Sequence, residues 1–356
     1  MEERALKFAA IVVGVCTLAT AAALPFFPQM RARHVEAMEA RTAEEEYEEN
    51  QVEMKTLAIV EEPVSGEASN QLRLRLPQGV DGGSIAVTND YVTQRLRIEI
   101  PRVPRGYFDS YPVLGSSNHI DTLSYMVADK EEGDEYPAGV VEIGLDQVYE
   151  LDMKYDDTYY YFHFLTPREV YDKVVVIDAG HGGKAPGATK QGVMEKNIDL
   201  AIVLELKQIF EQNNNRIGVY YTRTDDGNPT FEQRVQLANK LDADLFISIH
   251  NNSLGNGRMS ATKGTQVMYN EESQESKWLA EICLREVTEA LGSRALGTIE
   301  GNDIYIIRSS EVPVALIEVG FMTNQEELDL LQTQAYQQRT AEGIYEAVLY
   351  FLENRQ

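Results

Sequence analysis

Three patterns of apolar and polar positions divide the chain. From Phe8 to Met30 there is no charged residue, and the apolar part, Phe8 to Phe27, has the length of about 20 residues that spans a hydrocarbon core. Arg4 and Lys7 precede this stretch, and Arg31 and Arg33 follow it. Residues 1–30 therefore predict an N-terminal membrane helix acting as a signal anchor, or else a signal peptide cut after Ala21-Ala22-Ala23. The apolar run continues through Leu24, Phe26 and Phe27, which favours the anchor. Residues 31–70 reverse the pattern. Glu44-Glu45-Glu46 and Glu48-Glu49 sit in a stretch nearly free of aromatics, which predicts a solvated acidic stalk or linker. A period of two then begins. Leu72, Leu74 and Leu76 alternate with Arg73 and Arg75, and Leu96, Ile98 and Ile100 with Arg97 and Glu99. Val140–Ile143, Gln147–Met153 and Tyr159–Leu165 continue the theme, so residues 71–168 predict a small all-β, antiparallel, sandwich-like domain.

After Lys173 the rhythm changes again. Six short apolar runs are Val174–Ala179, Ile217–Thr222, Leu245–Ile249, Gln266–Tyr269, Ile304–Ile307 and Ala315–Val319. Between them Asn197–Gln212 carries Ile198, Ile202, Leu206 and Ile209 at helical spacing. Glu232–Leu241, Lys277–Leu291 and Ala335–Leu352 also predict helices. This alternation predicts an α/β domain over residues 172–356, with a largely parallel twisted sheet flanked by helices. In such sheets ligands bind at the carboxyl ends of the strands.

Charge and cysteine content narrow the partners. The formal charge is -25, from 57 acidic and 32 basic residues, and the deficit runs through both halves of the chain. No stretch offers a positive groove, which excludes nucleic acid as a partner. Cys16 lies in the apolar N-terminal stretch and Cys283 in a predicted helix, so with Cys16 in a membrane no disulfide forms. There is no CxxC, and a metal site must draw on His, Asp and Glu. His119 and His163 have no spaced partner and read as ordinary surface or core residues.

The strand ends of the second domain carry the chemistry. The first strand runs into Asp178-Ala179-Gly180-His181-Gly182-Gly183, where the glycines allow a sharp turn that exposes His181. A glycine-rich loop there could instead cradle phosphate, but the spacing is not GxGxxG and no GK[ST] follows. A second histidine, His250, ends the strand before Asn251-Asn252. Glu195 precedes the helix that begins near Asn197, and Glu318 stands inside the apolar strand Leu316-Ile317-Glu318-Val319. A buried carboxylate costs several kcal/mol unless it is paired or near a metal. The ordinary alternative is a strand-end Glu reaching water. Two histidines, a glutamate and a second carboxylate are the parts of a hydrolytic zinc site, which needs three protein ligands, an open position and a base.

Four ordered blocks sharpen this. They are VVVIDAGHGG, GVMEKNIDLAIVLELK, YYTRTDDGNPTFEQRVQLANKLDADLFISIHNN and VPVALIEVGFMTNQEELDLL. Together they resemble the N-acetylmuramoyl-L-alanine amidase family of zinc enzymes over nearly all of residues 173–352. The resemblance implies one zinc ion per catalytic domain, held by His181, Glu195 and His250, with Glu318 as the catalytic carboxylate. It implies peptidoglycan as substrate, cut between N-acetylmuramic acid and L-alanine. It also implies an extracytoplasmic enzyme at the bacterial cell wall, membrane-anchored through the N-terminal helix or secreted. Phe231 and Gln266 depart from the family's common Leu and acidic residue. The β-rich domain resembles targeting domains that precede some cell-wall amidases; a spacer fits equally. General chemistry leaves open another zinc peptidase such as a carboxypeptidase, and a non-catalytic wall-binding protein would lack a ligand or the base. Asp178 could orient His181 or cap its loop, and Arg223 and Arg234 could bind substrate or form structural ion pairs. Asn251–Lys263 is rich in Gly, Ser and Asn, and Glu271–Ser276 has only six residues, enough for a turn but not for a multi-turn helical cover, so no obligatory activator is expected.

Overall fold

A computed structural model describes residues 54–61, 71–116, 118–127, 138–213, 216–255 and 257–355. The expected membrane helix (residues 1–30) and most of the expected stalk lie outside the described residues. Among the described residues no helix is long and apolar enough to cross a membrane.

The first domain is a sandwich of two five-stranded sheets. Its strands are β1 (Lys55–Thr56), β2 (Ile59–Glu61), β3 (Gln71–Arg75), β4 (Ala86–Asp90) and β5 (Arg95–Ile100), then β6 (Val113–Gly115), β7 (Ile120–Val127), β8 (Gly139–Leu145), β9 (Glu150–Tyr155) and β10 (Tyr159–Leu165). One sheet has the order β1-β7-β8-β5-β4 and the other β2-β6-β3-β10-β9. Leu72, Leu74, Leu96, Ile98, Ile100 and Phe162 are buried in the core between the sheets, as the period of two requires. Two expectations change. Lys55–Glu61, assigned to the stalk, supplies β1 and β2, because β1 pairs with β7 and β2 with β6. The strand expected at Gln147–Met153 lies at Glu150–Tyr155, since Val148 and Tyr149 are buried ahead of it.

The second domain is α/β. Its main strands are β11 (Lys173–Ala179), β14 (Ile217–Tyr221), β15 (Leu245–Asn252), β16 (Thr265–Tyr269), β17 (Ala295–Glu300) and β18 (Val314–Phe321); a small ribbon pairs β12 (Thr189–Lys190) with β13 (Val193–Met194). The sheet order is β14-β11-β15-β18-β16-β17, parallel throughout except where β16 meets β18. Helices α1 (Glu195–Asn213), α3 (Gln274–Leu291) and α6 (Gln334–Asn354) cover one face, with Ile177, Ile247 and Ile317 beneath them. The other face holds Val176, Phe246 and Leu316 under α2 (Phe231–Lys240) and the single turn α4 (Tyr305–Arg308). A short helix α5 (Gln325–Leu331) follows β18. Burial on both faces is why β11, β15 and β18 read as unbroken apolar runs. The run Ile304–Ile307, expected as a strand, is instead α4, where Ile306 and Ile307 pack into the α2-side core. The sixth strand is β17, a mostly exposed edge whose sequence carries little apolar signal. Cys283 on α3 is fully buried, and burial pushes its thiol up to about 12.

The domains meet along β14. The hydroxyls of Tyr220 and Tyr91 both donate to the Glu150 carboxylate, at 2.5 and 3.2 Å, and Lys240 donates to Gln94 Oε1 at 2.7 Å. Val148 of the sandwich joins the apolar cluster beneath α2.

Candidate active site

The carboxyl ends of β11, β15 and β18 converge with the first turn of α1. His181 follows β11 in a loop whose residues 181, 182 and 183 have φ of 60°, 135° and 49°. A left-handed non-glycine residue is strained by roughly 1–3 kcal/mol unless its surroundings hold it. Two buried guanidiniums do so. Arg234 donates to the carbonyls of Ala179 and His181, both at 2.7 Å, and Arg223 to those of Ala179 at 2.9 Å and Gly180 at 2.6 Å. Glycine is required at two points of close approach. A Cβ on Gly180 would lie 2.4 Å from His250 Cε1, and one on Gly187 would lie 2.5 Å from His181 Cδ2 and 2.7 Å from Glu195 Oε2.

Glu195 opens α1 and is buried. Its Oε1 lies 3.0 Å from His181 Nε2 and 3.3 Å from His250 Nδ1, and it accepts from the Asn251 backbone N–H at 3.0 Å. Oε2 accepts from the Ala188 N–H at 2.7 Å. Burial alone would raise this carboxyl, but the charge and hydrogen bond of His181, followed by those of His250, outweigh it and hold it well below the usual range. His181, Glu195, Asp199 and His250 each offer a ligand atom, all within 4.8 Å of one another. His250 Nε2 is buried with no protein partner. Two imidazoles and a carboxylate converging in this way, one imidazole nitrogen left over, fit a small divalent cation with nitrogen and oxygen ligands.

Glu318 is on β18, directly across the ladder from His250 of β15 on one side and Gln266 of β16 on the other. Its Oε2 is buried and has no hydrogen-bond partner. Burial first, and the Glu195 charge second, push its carboxyl up to about 8. The four residues singled out from the sequence thus share one place, Glu318 outside the ligand cluster and beside it.

Two other expectations take definite form. Asp178 does not reach the His181 ring. It is fully buried, pairs with Arg234 Nη1 at 2.6 Å and accepts from Thr222 and Ser248 hydroxyls at 2.5 and 2.6 Å. Burial opposes its ionisation, but Arg234 and those hydroxyls bring it down to about 2. Arg234 therefore makes the structural ion pair, while the acceptors of Arg223 are backbone carbonyls, including those of Lys196 and Asp225. The sequence reasoning missed Asp199, Asn251 and Gln266. Asp199 lies one turn after Glu195, fully buried, and accepts from Asn251 Nδ2 at 2.7 Å. Its position four residues after Glu195 on an amphipathic helix was the available signal. Burial and the neighbouring Glu195 raise its carboxyl.

Comparison with known proteins gives the family of the chain. A family profile described as N-acetylmuramoyl-L-alanine amidase matches residues 175–350. The chain is 36% identical over 179 residues to the Bacillus subtilis uncharacterized protein YqiI, covering 49% of this chain and 83% of that protein. It is 30% identical over 196 residues to the germination-specific N-acetylmuramoyl-L-alanine amidase of the same organism, covering 51% and 81%. Among solved structures it is similar to the catalytic domain of CwlV, an N-acetylmuramoyl-L-alanine amidase from Bacillus (Paenibacillus) polymyxa var. colistinus. That match has 37% identity, covers 51% of this chain and 98% of that one, and has a TM-score of 0.48.

Proposed function

The chain belongs to the N-acetylmuramoyl-L-alanine amidase family, and from that premise we propose that residues 172–356 form a zinc-dependent catalytic domain in which His181, Glu195 and His250 hold the metal and Glu318 is the catalytic carboxylate. The reaction is hydrolysis of the amide between N-acetylmuramic acid and L-alanine in peptidoglycan. The observation that carries the residue assignment is the partnerless Glu318 carboxylate lying in register with His250, next to a cluster of two histidines and Glu195.

A zinc ion held there supplies positive charge that polarises the scissile carbonyl and makes water more acidic. The chain's own groups do the rest. Glu318 accepts a proton from the attacking water and delivers it to the departing amine of L-alanine. A carboxyl at about 8 is a poor resting base at neutral pH, and the positive charge of a cation held by His181, Glu195 and His250 would lower it toward the working range. Arg223 and Arg234 keep the His181 loop in its strained turn, and Asn251 fixes Glu195 Oε1 toward both imidazoles. The sandwich acts as a targeting or spacing element, and residues 1–30 hold the enzyme at the membrane, or are removed on secretion, so that it works outside the cytoplasm.

Mass spectrometry of products from purified muropeptides, with and without a chelator, tests the reading. Peptides with a free L-alanine amine and peptide-free glycan are expected, and chelator should stop their release. Cleavage within the peptide stem would refute the amidase in favour of a carboxypeptidase.

A further inference from the structure

A cleft of about 900 Å³ lies between the two domains, walled on one side by the end of β4 and the turn after it, Thr88–Thr93, and on the other by β14 and the turn Thr224–Asn228. This is within the roughly 300–1,000 Å³ of ligand-binding clefts. It is separate from the histidine cluster but tied to it. The Gly183 N–H, two residues after His181, donates to the Asp226 carbonyl at 2.8 Å, and Lys196, next to Glu195, donates to the Gly183 carbonyl at 2.7 Å and to Asp226 Oδ2 at 2.8 Å. An occupant of the cleft therefore rests on the turn that buttresses the His181 loop.

The chemistry of the walls selects the occupant. β14 is the edge strand of its sheet. The Thr222 N–H donates inward to Ile177 of β11, so by the alternation of a parallel ladder Tyr220 also faces β11 while Val219 and Tyr221 turn their N–H and C=O groups outward, into the cleft. An edge with unpaired amides is a template for another amide. The carboxylates in the cleft are already engaged. Asp90 is bonded by Val92 and Thr93, Asp226 by Gly183 and Lys196, and Asp225 by the Gly227 N–H. Lys207 pairs with Glu211. The Tyr91 and Tyr220 hydroxyls are taken by Glu150, so what the walls leave for an occupant is the exposed Thr88 and Thr224 side chains and the strand edge.

We propose that this cleft is a glycan subsite that takes an N-acetylhexosamine oligosaccharide, its acetamido groups pairing with the outward amides of Val219 and Tyr221 and its hydroxyls with the neutral side chains around them. An acetamido group carries one N–H and one C=O, the complement of an outward-facing edge residue. The sandwich then supplies one wall of the substrate groove. This inference rests on the amidase reading in one respect: the glycan is the polymer that bears the bond to be cut.

Calorimetric titration of the metal-free full chain with tetra-N-acetylchitotetraose tests it without relying on turnover. Binding is expected, with none for maltotetraose, which lacks acetamido groups. Thr88→Arg and Thr224→Arg fill the cleft from opposite domains at exposed positions, where folding should be unaffected. Each should weaken binding at least 10-fold. No binding of the chitotetraose, affinity unchanged in both variants, or binding of a free stem peptide in its place would overturn the proposal. Since no hydrolysis is measured, failure of the amidase reading would appear in the muropeptide products and not in this titration.

Discussion

Replacing Arg234 by Met should destabilise the α/β domain more than any surface change. Arg234 is 1% exposed, and its guanidinium serves Asp178, Ala179, His181 and Pro229 at once. Met fills much of the volume but strands a buried carboxylate, which keeps only the Thr222 and Ser248 hydroxyls. Removing one member of a buried ion pair costs about 3–5 kcal/mol. For a domain of this size each kcal/mol lowers Tm by about 2–4 °C, which gives a fall of roughly 6–20 °C. Trp278, the only tryptophan in the chain, is on α3, so its fluorescence follows this domain and not the sandwich. Adding Asp178→Asn to Arg234→Met should recover part of the loss, because the uncompensated charge is gone. The wild type should show the matching pH dependence. Asp178 titrates near 2 in the fold against about 3.9 unfolded, so its roughly 2–3 kcal/mol is fully present above pH 4 and fades as pH falls toward 2. A loss below about 1 kcal/mol in Arg234→Met would refute the view that this pair braces the His181 loop.

Four other outcomes follow from the site and the domain plan. His181→Ala and His250→Ala should each lose metal and activity together, measured as bound zinc after dialysis, because a three-ligand site does not survive the loss of one. Glu318→Gln should keep its zinc while turnover falls at least ~100-fold, and loss of the metal would make Glu318 a ligand. Residues 172–356 alone should cleave small muropeptides without an added activator, though with a lower Tm because the partners of Tyr220 and Val148 are split; a zinc-loaded but silent fragment contradicts this. The full chain should fractionate with membranes and lose that behaviour when residues 1–30 are removed; a mature chain beginning at Leu24 would show cleavage instead.

Legibility in the sequence followed burial. β11, β15 and β18 are covered on both faces, so their residues are almost all apolar and the strands stand out. His181 and His250 were visible as polar residues at the ends of such runs, and Glu318 as a charge within one. β17 and β4 were not visible, because an exposed edge needs no apolar alternation. Ile304–Ile307 misled for the opposite reason: four residues are too few to tell a buried strand from a buried helical turn, and the Gly301–Asp303 turn ahead of them sets a helix. Gln266 could not be found by pattern, and the one signal for Asp199 was its place four residues after Glu195 on the same helix. Gln266 stands opposite Glu318 only through the antiparallel register of β16 with β18, and Asp199 joins the cluster only because the fold brings α1 against His181 and His250.

The burial of Cys283 gives the molecule an internal clock. The thiol is fully enclosed between α3 and its neighbours and is held almost entirely protonated, so it neither crosslinks nor oxidises while the domain is closed, even in an oxidising exterior. Any alkylation at that position, read peptide by peptide so that Cys16 is counted separately, must pass through an opened state. The rate of that reaction under native conditions is a direct measure of how often the domain opens.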